Sequence, residues 1–340
     1  MRCIDLRSDT VTKPTKEMRE AFFNAQVGDD VYEDDPTIKQ LEELSAEITG
    51  KQASLFTPSG TMANQLAIMT HTNKGDEIIL GKNSHIAVHE VGAAAILSNV
   101  SYALVDNDCN RIFAKDVFGC MRDDDLHNPE TGLVCVENAL ANGTVVDLEV
   151  MKEVYDAAKE HNLPVHLDGA RIFNAALYLN ADVKDLAKYT SSLMFCLSKG
   201  LCSPVGSMLC GDASFIKKAR KYRKLLGGGM RQAGILAAAG IISLKKMTGR
   251  LHIDHDNAKY LAARLASIPY IKVIPENVHI NIVFFEITDN RIDTRNLDDY
   301  LLKNGIKANS AENNIYRFVT HNDISREDLD VVIDTMAKFL

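Results

Sequence analysis

The chain reads Phe195-Cys196-Leu197-Ser198-Lys199-Gly200, where an apolar run ends in a single lysine that is followed at once by a glycine. A second apolar stretch, Pro204 to Cys210, begins soon after it. Burying an ammonium group without a partner is costly, so such a lysine is usually neutral, paired or covalently engaged through its amine. The covalent option is Schiff-base chemistry. Alternatively, Lys199 ends a strand and points into solvent, which is where most lysines lie.

An aspartate follows another apolar strand, in Pro164-Val165-His166-Leu167-Asp168-Gly169. The carboxyl ends of strands are where open α/β sheets bind their ligands. Pyridoxal 5′-phosphate needs a carboxylate there, because its pyridine nitrogen must stay protonated to accept electrons. An Asp-Gly pair after a strand is also a common turn signal, so Asp168 alone does not decide the matter.

A turn of small residues, Ser59-Gly60-Thr61, separates the apolar pair Leu55-Phe56 from a segment in which Met62, Leu66 and Met69 follow helical spacing. Backbone N–H groups and hydroxyls at a helix N-terminus form a site for an anion such as a phosphate. An ordinary Ser/Thr helix cap is the alternative. Phosphate turn, aspartate and lysine, each after a strand, together favour a pyridoxal-phosphate site.

Longer motifs surround these residues: Ile4 to Thr12, Gly28 to Tyr32, Pro58 to Asn64, His166 to Arg171, Leu197 to Leu201 and Gly227 to Gly234. They resemble the threonine aldolases, which are pyridoxal-phosphate enzymes of the aspartate-aminotransferase fold (fold type I). The resemblance runs from near residue 4 to His321 and beyond, over almost the whole chain. One stretch departs from the family, which often carries Glu-Asn-Thr-His-Asn where this chain has Glu137-Asn138-Ala139-Leu140-Ala141. This difference affects one pocket wall and leaves the cofactor residues intact.

Composition restricts the possible partners. The chain has 340 residues, 46% of them hydrophobic and 25% charged, and a formal net charge of -8. These values are ordinary for a globular protein and give no basic surface for nucleic acid, so we expect a small-molecule partner. No apolar stretch approaches membrane-spanning length, and the N-terminus does not read as a signal sequence, so we expect a cytoplasmic protein.

Cysteine usage agrees with a reducing compartment. The seven cysteines contain no C-x-x-C pair, and several lie in apolar runs, as Cys135, Cys196 and Cys210 do. Buried free thiols are therefore expected rather than disulfides or a zinc site.

The order of elements predicts an α/β fold with a mainly parallel sheet covered by helices. A helix is expected over 36–50, and apolar strands over 78–80, 102–105, 133–136, 165–167, 193–197 and 205–210, with helices such as 148–161 between them. Strands that are apolar on both faces belong to a covered parallel sheet. After a helix over 233–246, the order helix (253–267), strand (279–287), helix (296–304), strand (315–319), helix (326–340) predicts a smaller C-terminal α+β domain. We therefore expect a large cofactor-binding domain with an N-terminal arm over 1–247 and a small domain over 248–340.

The resemblance implies roles for individual residues. Lys199 would hold the cofactor as a Schiff base. The implied cofactor-binding residues are Ser59, Gly60, Thr61, His85, Asp168, Arg171, Ser198, Lys199 and Arg231. Those implied for the substrate are Ser8, Tyr32, His89, Arg171, Lys224 and Arg317. Ser8, Arg171 and Arg317 would fix the substrate carboxylate and so choose the bond at Cα that breaks. Without the resemblance, Arg317 reads as an exposed strand arginine.

Cleavage between Cα and Cβ needs a base for the β-hydroxyl proton, and histidine suits neutral pH. His85 and His127 both match family positions, and the sequence does not rank them. His85 and His89 at i, i+4 offer an alternative, a metal pair. However, the glutamate of a metalloprotease motif directly follows its first histidine, and Ile86 stands there. We expect no metal, and His89 is expected to tune the preference for β-substituents.

Lys224 and Arg231 flank the glycine run Gly227-Gly228-Gly229. They read either as a basic helix end before a flexible loop or, by resemblance, as residues that reach a neighbouring subunit's site. Tyr32 would approach across the same interface. The resemblance thus implies a dimer with shared active sites, commonly paired into a homotetramer, while general principle supports only a closed symmetric oligomer.

Three functions compete. The first is cleavage of L-threonine and L-allo-threonine to glycine and acetaldehyde, and the reverse reaction. The second is β-elimination from a serine- or cysteine-like amino acid. The third is a non-catalytic scaffold, against which the complete set of Lys199, Asp168 and Arg171 argues.

Overall fold

The computed structural model describes residues 3–107, 111–289, 291–312 and 314–340. Its strands, numbered along the chain, are β1 (Ile4–Asp5), β2 (Ala53–Thr57), β3 (Glu77–Gly81), β4 (Ser101–Val105), β5 (Thr131–Glu137), β6 (Val165–Asp168), β7 (Ser192–Cys196), β8 (Ser207–Gly211), β9 (Ile271–Val273), β10 (Ile282–Ile287), β11 (Ile306–Lys307) and β12 (Ile315–Val319). Its α-helices are α1 (Lys16–Asn24), α2 (Pro36–Thr49), α3 (Gly60–His71), α4 (His85–Val88), α5 (Ala93–Ser98), α6 (Ala114–Cys120), α7 (Leu148–Glu160), α8 (Ile172–Tyr178), α9 (Val183–Ala187), α10 (Ala213–Leu225), α11 (Gly234–Ile242), α12 (Leu251–Ala266), α13 (Leu297–Lys303) and α14 (Arg326–Phe339).

The main sheet has seven strands in the order β2-β8-β7-β6-β5-β3-β4. Strands β7, β6, β5, β3 and β4 are parallel, and β8 runs antiparallel to both of its neighbours. Every residue of β3, β6, β7 and β8 is buried, so both faces of the sheet are covered. This confirms the predicted fold class. The carboxyl ends of β2, β5, β6 and β7 share one edge, which we call the carboxyl edge.

Local signals explain where the helices begin and end. Asp35 caps α2 by accepting hydrogen bonds from the backbone N–H groups of Thr37 and Ile38, and Pro36 occupies the first turn. Gly50 ends the helix at a φ of 67°, a left-handed conformation that favours glycine. The helix predicted over 36–50 is therefore confirmed.

The C-terminal part has its own sheet and core. Its three antiparallel strands are ordered β12-β10-β9, and α12 and α14 pack together beside them. The N-terminus takes part in this core, because Ile4 and Leu6 pack with residues of α12 and β10, and β1 pairs with β11. A continuous helical segment from α11 through residues 243–250 into α12 connects the two parts. The boundary at residue 247 remains a prediction.

Two strand starts were predicted too early. The strand expected from Val205 begins at Ser207, because Gly206 has a φ of 107° and breaks the extended run. The strand expected from His279 begins at Ile282. The His279 ring stacks on Tyr178 at 4.1 Å, and its Nδ1 accepts a hydrogen bond from the Val145 backbone N–H, so loop contacts replace strand pairing there. Strands β1, β9 and β11 were not predicted, because they have only two or three residues each.

The described helices are all too short or too polar to cross a membrane. The expectation of buried free thiols is confirmed for Cys135, Cys196 and Cys210.

Candidate active site

Lys199 lies in the loop that leaves β7, three residues beyond the carboxyl end of that strand. It is half-buried, and its backbone oxygen accepts hydrogen bonds from the Thr12 hydroxyl (2.8 Å) and the Cys202 N–H (2.9 Å). The first of these bonds ties the N-terminal segment to the lysine loop. The ammonium charge of Lys199 acts on three nearby groups: it helps to lower the pKa of Asp9, and it opposes the rise in the pKa values of His85 and Glu137.

Asp168 ends β6 at the same edge of the sheet and is buried. Its Oδ1 accepts a hydrogen bond from the Ala170 N–H at 3.1 Å, and its Oδ2 accepts one from Nδ2 of Asn64 at 2.8 Å. These two hydrogen bonds hold the carboxyl group in one orientation at the carboxyl edge, where its position in the sequence predicted it.

The turn after β2 begins α3 as expected. The Ser59 hydroxyl caps the helix by accepting a hydrogen bond from the Met62 N–H at 3.2 Å. Gly60 packs closely against β7, since a Cβ there would lie 2.8 Å from Cε of Met194 and 3.1 Å from Sγ of Cys196, and these side chains would have to shift. The first N–H groups of a helix have no partner within it, so this end of α3 offers donors to an anion.

Together, these elements fit pyridoxal phosphate. The three chemical requirements are an amine, a carboxylate for the pyridine nitrogen and an anion site. Lys199, Asp168 and the Ser59-Gly60-Thr61 turn supply them at the ends of β7, β6 and β2, all at one edge. The donor set therefore matches the chemistry of this cofactor.

Arg171 is engaged by a partner that the sequence did not reveal. Its Nε and Nη2 donate to the two carboxylate oxygens of Asp9 at 2.8 and 2.7 Å. Burial alone would raise the pKa of Asp9, but the charge of Arg171 and its hydrogen bonds hold that pKa well below its usual range. Only the remaining edge of the guanidinium can face a ligand. Asp9 lies in the matched stretch Ile4 to Thr12, which was the available signal for it.

Arg317 on β12 approaches from the C-terminal part. It is half-buried, and its Nη2 donates to the Arg7 backbone oxygen at 3.2 Å. Burial, followed by the like charge of Arg171, lowers its pKa. The two arginines and Asp9 carry a net charge of one positive unit, which suits a single carboxylate. Ser8, also half-buried, precedes Asp9 directly.

His85 begins the short helix α4 and contacts two carboxyl groups. Its Nδ1 lies 2.9 Å from Oε1 of the buried Glu90, and its backbone N–H donates to Oε2 of Glu137 at 3.0 Å. The hydrogen bond to Glu90 raises the pKa of His85. Burial, and then the neighbouring charge of Asp168, raise the pKa of Glu137 to about 7. Neither Glu90 nor Glu137 was predicted to belong to the site.

Three side chains, including that of His85, place possible metal-ligating atoms close together, but they are not the pair His85 and His89 that the sequence suggested. His85, Glu90 and Asp168 each place one such atom within 4.8 Å of the others, whereas the His85 and His89 rings lie 5.5 Å apart between centroids. Each carboxylate oxygen of this cluster already has a hydrogen-bond partner, from Asn64, Gln65, His85 or the Ala170 backbone N–H. We therefore interpret it as a hydrogen-bonded network.

A cavity of about 830 Å³ adjoins the cluster, and Glu137 and Arg317 belong to its wall. Lys199 and Asp168 lie outside that wall, so the cavity extends away from the cofactor residues rather than containing them. His89 is exposed and lines the cavity. Leu140, at the point where the chain departs from its family, lines the same wall, as expected for a change of pocket shape.

Four residues that were predicted to belong to the active site lie away from Lys199, Asp168 and His85 within one chain. The His127 side chain is 79% exposed, and its Nδ1 pairs with Asp125 at 2.7 Å. Tyr32 and Lys224 are exposed, and Arg231 pairs with Asp29 at 2.9 Å. Their roles at an active site remain predictions.

Comparison with known proteins agrees with the geometry. The model of the beta-eliminating lyase family matches residues 5–288. The chain is 41% identical to the low specificity L-threonine aldolase of Escherichia coli (strain K12) over 99% of each chain. It is 42% identical to the low-specificity L-threonine aldolase 1 of Arabidopsis thaliana, over 97% of this chain and 94% of that one.

A solved structure of the Leishmania major threonine aldolase superposes with a TM-score of 0.83 at 18% identity, over 99% of this chain and 100% of that one. It shows the same fold. Proteins of this family and fold are pyridoxal-phosphate enzymes of fold type I. The chain therefore belongs to the beta-eliminating lyase family and, within it, to the threonine aldolases, which makes it a carbon–carbon lyase of the aldehyde-lyase class.

Proposed function

We propose that this protein binds pyridoxal phosphate and cleaves the Cα–Cβ bond of L-threonine and L-allo-threonine, giving glycine and acetaldehyde reversibly. The observation that carries the proposal is the convergence of Lys199, Asp168 and the N-terminus of α3 at the carboxyl edge, beside Arg171 and Arg317. The names of the relatives support the choice of substrate. Ser198, next to Lys199, and Ser59, Gly60 and Thr61 complete the proposed cofactor site.

The residues divide the work as follows. Bound pyridoxal phosphate supplies an electron sink that stabilises the carbanion left at Cα. Asp168 would keep the pyridine nitrogen of the cofactor protonated. Arg317, Ser8 and the free edge of Arg171 would bind the substrate carboxylate and so set the Cα–Cβ bond in the orientation that breaks. Lys199 would supply the amine that holds the cofactor.

The β-hydroxyl proton needs an acceptor, and we propose His85. It lies within the cluster and is surrounded by Glu90, Glu137 and Lys199, whereas His127 is exposed and apart from it. The hydrogen bond to Glu90 raises the pKa of His85, and a histidine side chain suits a group that both takes and returns a proton near neutral pH. His127 and His89 remain candidates for contacts to the β-substituent.

Replacing His127 with Phe tests whether His127 contacts the β-substituent of the substrate. If His127 contacts the substrate hydroxyl, His127→Phe changes the ratio of kcat/KM for the allo and threo forms. Steady-state assays on both diastereomers measure it. An unchanged ratio and rate would make His127 a bystander and leave His89 or Tyr32 as the group that discriminates.

Product analysis tests the function itself. The purified protein with added pyridoxal phosphate should form glycine and acetaldehyde in equal amounts from both diastereomers. Because the family model is that of beta-eliminating lyases, elimination is the alternative. Ammonia and a keto acid from serine or cysteine, without acetaldehyde from threonine, would replace the aldolase proposal by that one.

We further propose a dimer with shared active sites, paired into a tetramer. Phe23, Tyr32, Val91 and Leu225 are each more than two thirds exposed, and burying large apolar side chains such as these between subunits would favour association. Asp29 pairs with Arg231, and the backbone N–H of Asp30 donates to the Arg231 oxygen, so the loops that carry Tyr32 and Arg231 form one unit. This unit would enter the partner's site.

Subunit mixing tests the shared site. Lys199→Ala and Arg231→Ala proteins, each inactive or weak alone, should regain part of the wild-type activity when their subunits exchange, because some sites then carry both wild-type residues. Exchange is verified by mass spectrometry of differently tagged subunits. No recovery after verified exchange would place Arg231 in its own subunit's site or outside the mechanism.

A further inference from the structure

Glu90 is a carboxylate with only 2% of its surface exposed, next to His85. Its Oε1 lies 2.8 Å from Nδ2 of Asn64 and 2.9 Å from Nδ1 of His85, and its Oε2 lies 2.7 Å from Nε2 of Gln65. The two amide nitrogens donate. An ionised carboxylate has acceptors only, so Nδ1 of His85 donates as well.

This pairing fixes which ring nitrogen of His85 can exchange a proton. With the hydrogen on Nδ1 bound to Glu90, the neutral imidazole has its lone pair on Nε2. The backbone of His85 is also fixed, because its backbone N–H donates a hydrogen bond to the Glu137 carboxyl group. Nε2 is therefore the atom that this arrangement leaves to accept a proton.

Asn64 connects this pair to Asp168. It donates one amide hydrogen to Glu90 and the other to Oδ2 of Asp168, 2.8 Å away, so its own oxygen faces Nε2 of His166 at 3.1 Å. Burial lowers the pKa of His166 to about 4, which keeps this ring neutral with its hydrogen on Nε2. The amide of Asn64 thus cannot turn around without losing three hydrogen bonds.

We propose that Glu90 is a positioning residue of the cleavage reaction: it holds His85 so that Nε2 takes up and returns the β-hydroxyl proton, while Asn64 fixes Glu90 relative to Asp168. This inference rests on the proposed function, which assigns the proton to His85. It adds Glu90 and Asn64 to the residues on which the rate depends. Other charged or titratable groups facing His85 are Asp168, Glu137, Lys199 and His89.

Glu90→Gln separates charge from position. The new amide oxygen can keep the bonds to His85 and Asn64, and the new NH₂ then faces Gln65. The Oε1 atom of Gln65 is buried without a partner in the described part of the chain, so this amide can rotate to accept. The variant should fold. Glu90→Leu also removes the oxygen that accepts the hydrogen bond from Nδ1 of His85, so the ring loses this partner.

We expect Glu90→Gln to lower the pKa of His85, because the hydrogen bond and charge of Glu90 raise it. The base must be neutral to accept a proton, so the acidic limb of kcat/KM should move to lower pH. On the plateau, kcat should fall by about tenfold to a hundredfold, since a weaker base gives only part of the 10²–10⁴ that acid–base catalysis contributes. Glu90→Leu should lose about a hundredfold or more, with a smaller change in KM.

The matched control is Glu77→Gln. Glu77 is also a buried glutamate, paired with Arg122 at 2.7 Å, but it lies at the amino end of β3, across the sheet from the site. Its removal should lower thermal stability and leave the pH profile unchanged. If both variants lose a similar amount of thermal stability but only Glu90→Gln changes the pH profile, that change reflects the position of Glu90 and not a general effect on folding.

An independent readout is ¹⁵N NMR of His85 without substrate, assigned by comparison with His85→Gln. The inference predicts a hydrogen on Nδ1 in the neutral ring and a lower pKa in Glu90→Gln. A hydrogen on Nε2, or an unchanged pKa and pH profile in folded Glu90→Gln, would overturn it. If these NMR results are obtained but threonine is not cleaved, Glu90 does hold the imidazole of His85 in the proposed way, and it is the proposed function that fails.

Discussion

Lys199→Ala should abolish cleavage of both threonine diastereomers. The side chain is the amine at the carboxyl edge, among Asp9, His85 and Glu137, and alanine offers no atom that could bind the cofactor covalently. Activity should fall below detection, and the visible absorption band that borohydride removes should be lost. Some cofactor should still bind through the turn at Ser59.

Lys51→Ala is the control for this variant. Lys51 is also a half-buried lysine, whose Nζ donates to the Thr190 backbone oxygen, but it precedes β2 and so lies at the amino edge of the sheet. It should keep the wild-type rate and spectrum. Turnover by Lys199→Ala at more than a small fraction of the wild-type rate would exclude the role assigned to Lys199.

Asp168→Asn should lower kcat by about 10²–10³, which is typical of losing one group that stabilises charge in the reaction. The asparagine cannot hold a proton on the pyridine nitrogen by charge. Its NH₂ would also face either the Ala170 N–H or Nδ2 of Asn64, both of which donate now. The dissociation constant of the cofactor and kcat should therefore both worsen.

Asp76→Asn provides the comparison for Asp168→Asn. Asp76 is another buried aspartate that accepts a backbone hydrogen bond, from Asn73 at 2.7 Å, and it lies directly before β3 at the opposite edge of the sheet. Its cofactor affinity and kcat should match the wild type. Equal effects of the two substitutions would mean that Asp168 acts through stability alone.

The sequence predicted the parts of the site that depend on local order. Lys199, Asp168 and Ser59 each follow an apolar strand, and parallel strands bring their carboxyl ends to one edge whatever the loops do. These positions could therefore be predicted before any contact was known. The antiparallel strand β8 does not disturb them, because two reversals leave β2 parallel to β7.

The partners of these residues depend on tertiary packing and could not be predicted in the same way. Asp9 meets Arg171 across 162 residues, and Asn64 meets Asp168 across 104. No periodicity marks such pairs, and an aspartate near the N-terminus reads as a surface residue. Glu90 is closer in sequence to its partner His85, but in this stretch only His85 and His89 formed a recognisable pattern, that of a metal pair. The short helix α4 lies between the two residues, and the Glu90 carboxylate comes back to Nδ1 of the His85 ring.

The structure also shows unexpected surroundings for two residues that were predicted to contact the substrate. Arg171 was expected to help bind the substrate carboxylate, and in the structure Asp9 already occupies one edge of its guanidinium group, whereas Arg317 donates to a single backbone oxygen. His127 was expected beside the substrate, but within one chain it pairs with Asp125 in solvent. Contacts between subunits depend on assembly, which the local pattern of a single sequence does not encode.

Peptide mapping after borohydride reduction tests the central claim most directly. The protein is incubated with pyridoxal phosphate, reduced, digested and analysed by mass spectrometry. The account predicts a reduced cofactor adduct on Lys199, in stoichiometric amount, which is lost in Lys199→Ala and kept in Lys51→Ala. An adduct on another lysine, or a fully active enzyme in which Lys199 stays unmodified, would contradict it.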